Sequence, residues 1–437
     1  MADLTASNLP VSSTSSQYWW KTTGRDLANM LHTANYPENT QHTFLEYYKN
    51  VLCPLLGNPI NESDAMHAKS WTWDGSTHEY SFEIKGSTKA LDVRFVADFS
   101  QLRPVNWNNP LSPACTEAVI SSFASRAPGF NDTWYRALKA FLDCSYIPAE
   151  DQKELIAKAG HLSPLLIGFD ILRTMPEGEG SSMLPIMGKV YFLPCIAAAA
   201  QRKTRFEVIC AAIHQLPSIS SRPNIISSLR MLEEYLASKP KDWENGARFL
   251  ATDFLSPDKA RLKVYFRCPE SSFDSIWDYF TLGGRIPGLD TTQNQYRDFV
   301  KLLADSRSNS QPDCAHTRSI GVEVDTRNRY KLTTVYFSLD NRYPFPAPKI
   351  AFCTSNIATN DALVAQKLDQ WLIKYGWNDG GISMEEHVSN AILHREMSEK
   401  PGIFTFIGLA RKSPLHKGLS IQTYLCPELY ESPRTIK

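Results

Sequence analysis

Basic and tyrosine side chains recur at alternating positions in short apolar segments of this 437-residue chain. Lys189 and Tyr191 are two residues apart, and Arg261, Lys263 and Tyr265 keep the same spacing. Similar segments elsewhere carry Arg94, Lys349 and Tyr424. Side chains two residues apart in a β-strand point to the same face of a sheet. If that face is enclosed, its cations need an opposite charge, and a phosphate or diphosphate would supply it.

Periodicity alone leaves two orientations open for this face. The basic side chains either point outward into solvent or point into an enclosed space. Apolar Val190, Phe192, Val264 and Phe266 alternate with them and could pack against a layer of helices, which favours the enclosed orientation. The same segments carry no matching set of acidic residues. We therefore expect a ligand, and not the protein, to supply the missing negative charge.

Tyrosines beside the cations indicate what kind of ligand this is. A tyrosine ring attracts a neighbouring carbocation through its face, and lysine and arginine side chains stabilise a leaving diphosphate. These two properties together suit the transfer of an allylic prenyl group from its diphosphate. The sequence contains no Asp-Asp pair, so the Asp-rich magnesium motif of the helical prenyl synthases is absent. Basic side chains would then do the electrostatic work of a metal, and we expect no required cofactor.

Five pairs of strand-like segments carry these residues. In each pair, a turn-rich loop joins two apolar segments, and helical sequence or the chain end follows. The pairs are 79–84 with 91–99, 165–171 with 188–194, 249–255 with 261–269, 333–340 with 348–355, and 404–410 with 419–427. The second segments recur about every 80 residues, and such a repeat outweighs the two or three domains that length alone suggests.

Amphipathic helical segments separate the strand pairs. Apolar residues follow one another at three- and four-residue steps in 116–126, 150–160, 224–238, 291–306, 361–375 and 384–398. Strands joined by short loops are antiparallel, and closure into a barrel removes exposed edges. The predicted fold is α+β, with a single ten-stranded antiparallel β-barrel inside a ring of α-helices. We expect residues 17–437 to form this one domain, after a disordered polar tail at 1–16.

Composition narrows the class of partner. Lys and Arg total 46, Asp and Glu also total 46, and the formal net charge is zero. Proteins that coat nucleic acid or anionic membranes carry a basic excess, so we expect neither partner. The sequence shows neither an apolar run of about 18 residues nor a secretory signal. Its nine cysteines form no CxxC pair, which favours reduced thiols in a cytoplasmic protein and no metal site.

Six motifs, in order and spacing, resemble those of the fungal aromatic prenyltransferases of the dimethylallyltryptophan synthase family. They are HEYSFE at 78–83, VRF at 93–95, GFD followed by KVYFLP within 168–194, RLKVYF at 261–266, TLGGR at 281–285 and TYLCPELY at 423–430. The likeness covers about residues 18–430. It implies a barrel of five αββα repeats, a prenyl diphosphate donor and a small aromatic acceptor.

The resemblance also implies roles for single residues. Glu79, in Glu79-Tyr80-Ser81, would accept a hydrogen bond from the acceptor, typically from an indole N–H. The diphosphate ligands implied are Arg94, Lys189, Arg261, Lys263 and Lys349, and the tyrosines implied to shield the cation are Tyr191, Tyr265 and Tyr424. Ala351 and Ser420 stand where relatives often have tyrosines, which would widen the cavity. Arg173 follows the GFD motif where some relatives have a lysine base, and arginine is a poor base.

Several functions remain open from the sequence. The first is transfer of a dimethylallyl or longer prenyl group to an indole or another tryptophan-derived ring. The alternatives are a phenolic or polyketide-type acceptor, cyclisation of the donor without an acceptor, and a non-catalytic binding barrel. A homodimer is possible. The acceptor, the donor length, the regiochemistry and the proton acceptor stay open.

Overall fold

The computed structural model describes most of the chain. The described residues are 13–59, 70, 72, 74–85, 90–99, 106–159, 162–177, 183–270, 272–304, 333–354, 357–378, 381, 383–411 and 419–429. Within them, ten antiparallel strands form one closed barrel. The strands are β1 (His78–Lys85), β2 (Leu91–Ala97), β3 (Leu165–Ile171), β4 (Ile186–Phe192), β5 (Ala247–Asp253), β6 (Leu262–Arg267), β7 (Thr334–Leu339), β8 (Ala347–Cys353), β9 (Phe404–Arg411) and β10 (Leu419–Leu425).

The strands follow one another around the barrel in chain order. Each pairs with the next, and β1 closes the ring by pairing with β10. Ser81 on β1 lies opposite Arg94 on one side and opposite Tyr424 on the other. Closure leaves no edge strand among these ten, so every strand has two neighbours. The predicted α+β barrel and its five strand pairs are confirmed.

Helices surround the barrel. They are α1 (Ser13–Trp19), α2 (Arg25–Thr33), α3 (Glu38–Tyr47), α4 (Cys53–Leu55), α5 (Ala114–Ala124), α6 (Thr133–Leu142), α7 (Ala149–Ala159), α8 (Cys195–Gln201), α9 (Arg205–His214), α10 (Pro223–Ala237), α11 (Phe273–Thr281), α12 (Asp290–Ala304), α13 (Asp361–Lys374) and α14 (Met384–Ala391). In the described residues, no helix is long and apolar enough to cross a membrane. Residues 1–12 lie outside the described residues, and α1 begins inside the segment predicted as a tail.

The last predicted helix is shorter than expected. The sequence pattern extended it from residue 384 to 398, but α14 ends at Ala391. After it, the buried side chain of Arg395 donates hydrogen bonds to Asp361 and Glu428. Arg395 thus lies beyond the helix, in an ion cluster with Asp361 and Glu428.

Successive side chains of each strand alternate between the two faces of the sheet. On β2, Val93 and Phe95 are fully or almost fully buried against the helices, whereas Arg94 points into the lumen. Outside the barrel, the Phe95 ring stacks on Phe169 at 4.9 Å between centroids, and Phe44 of α3 packs on Phe95 at 5.9 Å. Many of the abundant aromatic residues therefore fill the layer between sheet and helices.

Candidate active site

The lumen of the barrel contains two adjoining cavities. The aromatic cavity, of about 130 Å³, contains Glu79 and the three predicted tyrosines. The basic cavity, of about 320 Å³, contains Arg261 and Lys349. Four residues line both: Arg94, Lys189, Lys263 and Tyr336. Every residue that the sequence selected thus faces the lumen, and the enclosed orientation is the one that the structure has.

Acidic side chains that pair with the cations of the lumen correct one expectation. Asp170 on β3 forms ion pairs with Lys189 and, at 3.4 Å, with Nε of Arg94. Asp253 on β5 accepts hydrogen bonds from Nε and Nη2 of Arg261 at 2.9 and 3.3 Å. The expectation that the protein supplies no counter-charge is wrong, because the acids lie on the first strand of each pair. Register then places Asp170 opposite Arg94.

A third acid, Glu83 on β1, joins this group. It pairs with Arg94 and accepts a hydrogen bond from Ser420 at 2.8 Å. Ser420 therefore orients an acid and presents no ring to a cation. Although burial would raise the pKa of Asp170, Arg94 and Lys189 hold that pKa well below its usual range. Burial would also raise the pKa of Asp253, but Lys263 and Arg261 lower it. Both aspartates therefore stay ionised and neutralise part of the positive charge of the lumen.

Two lysines have no such acid. Among the described residues, no carboxylate lies within ion-pair distance of Lys263 or Lys349. Burial lowers the pKa of Lys349 to about 7, and burial together with Lys189 and Arg261 lowers the pKa of Lys263. Taking a charge out of water favours its neutral form. An anion that enters this cavity would return both lysines to their charged form.

Tyrosine rings line the wall between the two cavities. The ring of Tyr265 lies 5.9 Å from that of Tyr191 and 4.6 Å from that of Tyr336. Nζ of Lys349 lies 5.8 Å from the ring centroids of both Tyr336 and Tyr424. These rings and the two unpaired lysines surround the place where the cavities meet. A carbocation formed there would face several π surfaces.

Two glycines make room for this arrangement. A Cβ on Gly168 would lie 2.8 Å from the Tyr191 ring, and a Cβ on Gly408 would lie 2.6 Å from Cε of Lys349. Neither contact is possible without displacement, so only glycine permits these side chains their positions. Ala351 lies opposite Gly408 in the register. Ala351 lines the aromatic cavity and adds no ring to its wall.

Sequence reasoning missed Tyr336 and Gln422. Tyr336 lies opposite Tyr265 and opposite Lys349 in the register. Gln422 accepts hydrogen bonds from Nζ of Lys349 and from the Tyr424 hydroxyl, and donates one to Ser81 at 3.0 Å. Both alternate with apolar residues on their strands, as Lys189 does on β4. Applying that alternation to all ten strands would have found them.

Glu79 lies in the aromatic cavity, on the face of β1 that it shares with Ser81 and Glu83. Burial raises the pKa of Glu79 to about 7. Among the described residues, no side chain forms an ion pair with this carboxylate. At 3.3 Å per residue, the backbone of Glu79 lies about 13 Å from that of Glu83. The strand therefore separates a lone carboxylate from the charged end of the lumen.

Comparisons with known proteins agree with this geometry. Residues 15–387 match the protein family described as Tryptophan dimethylallyltransferase. The chain belongs to this family. It is 45% identical to Prenyltransferase phnF of Penicillium herquei over 95% of this chain and 92% of that protein. It is 44% identical to the DMATS-type prenyltransferase mfmD of Annulohypoxylon moriforme, over 96% and 94% of the two chains. The protein is an aromatic prenyltransferase.

Solved structures show the same fold. The NotF prenyltransferase, in complex with brevianamide F and DMSPP, superposes with a TM-score of 0.75 at 17% identity. That superposition covers 97% of each chain. AnaPT from Neosartorya fischeri gives a TM-score of 0.72 at 17% identity, over 97% of this chain and 96% of that one. The predicted barrel of five αββα repeats is the fold of these enzymes.

Proposed function

We propose that this protein transfers a dimethylallyl group from dimethylallyl diphosphate to the ring of an indole. The observation that carries the proposal is the division of one lumen. A basic end suits a diphosphate, and an aromatic end contains a single uncompensated carboxylate, Glu79. The reaction is an electrophilic substitution, in which a C–O bond of the donor breaks and a carbon–carbon bond to the ring forms.

The leaving diphosphate binds in the basic cavity. Its oxygens accept hydrogen bonds from five of the cations that line the cavity: Arg94, Lys189, Arg261, Lys263 and Lys349. Three carboxylates already neutralise part of that charge, and the two unpaired lysines remain for the donor. Fixed cations in a site with little water stabilise charge as it develops on the leaving group. This lowers the barrier to ionisation of the donor.

The allylic cation forms where the two cavities meet. Tyr191, Tyr265 and Tyr424, joined by Tyr336, surround this point with ring faces. Their π electrons stabilise the cation, and their bulk keeps water from capturing it. Ala351 leaves the wall open at one place, so a longer C10 donor is the alternative to the C5 donor.

The acceptor lies beside Glu79. The carboxylate accepts the indole N–H and raises the electron density of the ring as the ring attacks the cation. The ring then loses its proton and regains aromaticity. Arg173 does not take this proton, because it lies outside both cavities and donates hydrogen bonds to the backbone carbonyls of Leu91, Ala34 and Asn35.

The proposed reaction needs no metal, since the cations of the lumen supply the charge that magnesium supplies elsewhere. Within the described ranges, no group of three His, Cys, Asp or Glu side chains has the arrangement of a metal site. We expect full activity in EDTA and no more than about a twofold gain on adding magnesium, well below what removal of one stabilising group costs. Initial rates in both buffers check this, and loss of product in EDTA would contradict it.

A phenolic acceptor is the second candidate. It is favoured by the names of two relatives: 4-O-dimethylallyl-L-tyrosine synthase of Claviceps purpurea, 28% identical, and Xanthone prenyltransferase B of Emericella nidulans, 25% identical. Glu79 could accept a phenolic O–H as it does an indole N–H, because each presents one donor. Donor cyclisation without an acceptor leaves Glu79 without a function.

One assay separates these functions. Purified protein is incubated with C5, C10 and C15 diphosphates and with a panel of indoles and phenols, and products are identified by mass. We expect a C5-substituted indole. A prenylated phenol with no indole product would contradict the indole acceptor and support the phenolic one. A terpene alcohol or hydrocarbon formed without acceptor, or no product from any pair, would overturn it.

The pH dependence should differ between the two substrates. Glu79 carries the negative charge that raises the electron density of the ring only as a carboxylate, so kcat/KM for the acceptor should rise as the pH passes about 7. Lys349 is a cation only below about 7, so kcat/KM for the donor should fall above that pH. Glu79→Gln should abolish the rise, and Lys349→Met should abolish the fall. If both variants kept the rise and the fall of kcat/KM near pH 7, the pH dependence would not come from Glu79 and Lys349.

A further inference from the structure

Two aspartates that pair with cations of the basic cavity have no place in the reaction described so far. Asp253 is 3% exposed, and its carboxylate lies against Nε of Arg261 at 2.9 Å. The Asp170 carboxylate pairs with Lys189 and lies 3.4 Å from Nε of Arg94. A site that only had to attract a diphosphate would omit such acids, because each one repels the incoming anion. Their presence therefore needs a separate explanation.

The donor-free protein supplies one. Five buried or half-buried cations around one small space would repel each other strongly, and buried charges without partners destabilise a fold. Asp170 lies between Arg94 and Lys189, and Asp253 holds Arg261 with two hydrogen bonds. Each acid thus fixes the side chain of a cation in a direction that faces the cavity. The acids supply the negative charge that a bound diphosphate would supply, but from different positions.

From this geometry we infer that Asp170 and Asp253 are positioning residues for the donor. They hold Arg94, Lys189 and Arg261 in place while the cavity is empty, and share these cations with the diphosphate once it binds. The inference rests on the proposed function, in which the same cations bind the donor. Since the acids already satisfy part of the positive charge, they also weaken the hold on the diphosphate product and ease its release.

Replacement of either acid by asparagine makes the inference testable. The amide keeps the size and one acceptor oxygen but removes the charge. Without diphosphate, Asp170→Asn and Asp253→Asn should unfold at a lower temperature than the wild type, because cations lose their partner. Inorganic diphosphate should bind these variants about tenfold more tightly, which corresponds to about 1.4 kcal/mol. Loss of the cations' positions alone would weaken that binding, so tighter binding would show that each acid competes with the diphosphate for the same cations.

The experiment measures thermal unfolding of the whole protein in EDTA with increasing inorganic diphosphate. Competitive inhibition by diphosphate against the prenyl donor is measured alongside. A ligand that binds only the folded state raises the unfolding temperature according to its affinity. Asp298→Asn is the matched control, since Asp298 pairs with Lys374 at 2.8 Å outside both cavities. The control should respond to diphosphate as the wild type does.

Diphosphate should raise the unfolding temperature of Asp170→Asn and Asp253→Asn by more than that of the wild type and the control. The inhibition constant of diphosphate should be lower in both aspartate variants. Equal or smaller shifts would overturn the inference, as would variants that cannot be recovered folded even when purified with diphosphate. If diphosphate neither raises the unfolding temperature of the wild type nor inhibits it, the proposed diphosphate site is wrong instead. The two failures are therefore distinguishable.

Discussion

Glu79→Gln is expected to lower kcat by about 10²–10⁴-fold, the range that a positioned acid–base group contributes. The amide is nearly the same size as the carboxylate, but it carries no negative charge to draw electron density into the ring. Donor binding should not change, because Glu79 lines only the aromatic cavity. Glu79→Ala should show the same loss of turnover with retained donor binding. Steady-state rates at saturating acceptor, with calorimetric donor affinity, measure both.

The matched control for this change is Glu154→Gln. Glu154 lies on α7, is exposed and pairs with Lys158, so its replacement should alter neither rate nor donor affinity. Full activity of Glu79→Gln would remove Glu79 from the reaction. Equal loss of donor affinity and turnover would show that Glu79 shapes the basic cavity and does not act on the acceptor.

Lys263→Met is expected to lower kcat/KM for the donor by about 10²–10³-fold, as does removal of one group that stabilises developing charge. Lys263 lines both cavities, so in the proposed complex it contacts the diphosphate at the end from which the allylic group departs. Methionine keeps the length of the side chain and removes its charge. Because no carboxylate in the described residues pairs with Lys263, the change leaves no acid without a partner. The fold should therefore tolerate it.

Lys367→Met provides the comparison for this variant. Lys367 lies on α13, outside both cavities, is partly exposed and donates to Gln370 at 3.2 Å. Donor affinity and rate should be those of the wild type. If Lys263→Met kept its affinity for the donor, the basic cavity would not be where the diphosphate binds. A fall in acceptor affinity alone would assign Lys263 to the aromatic end.

The sequence predicted the barrel because two simple patterns coincide. Apolar and polar residues alternate on strands such as β4, and strand pairs recur at intervals too regular for separate domains. Closure followed from the physical need to cover edge strands. The end of α14 was not predictable in the same way. The residues that follow it include Arg395, which pairs with Asp361 and Glu428, and these partners are distant in sequence.

The sequence predicted the cations and tyrosines of the lumen but not the acids that pair with them. Lys189, Lys263 and Tyr265 were found because they share a pattern on the second strand of each pair. Asp170 and Asp253 were missed because their partners are on neighbouring strands, and only the register between strands brings them together. The charge balance of an enclosed site is a property of the folded barrel, and no single segment contains it.

Calorimetric titration with a thio analogue of dimethylallyl diphosphate that cannot be cleaved, in EDTA, tests the division of the lumen most directly. The wild type and Glu79→Gln should each bind one donor per chain with the same affinity, and Lys263→Met should bind it far more weakly. Absence of binding to the wild type, or an equal loss in both variants, would contradict the division of the lumen into a donor end and an acceptor end.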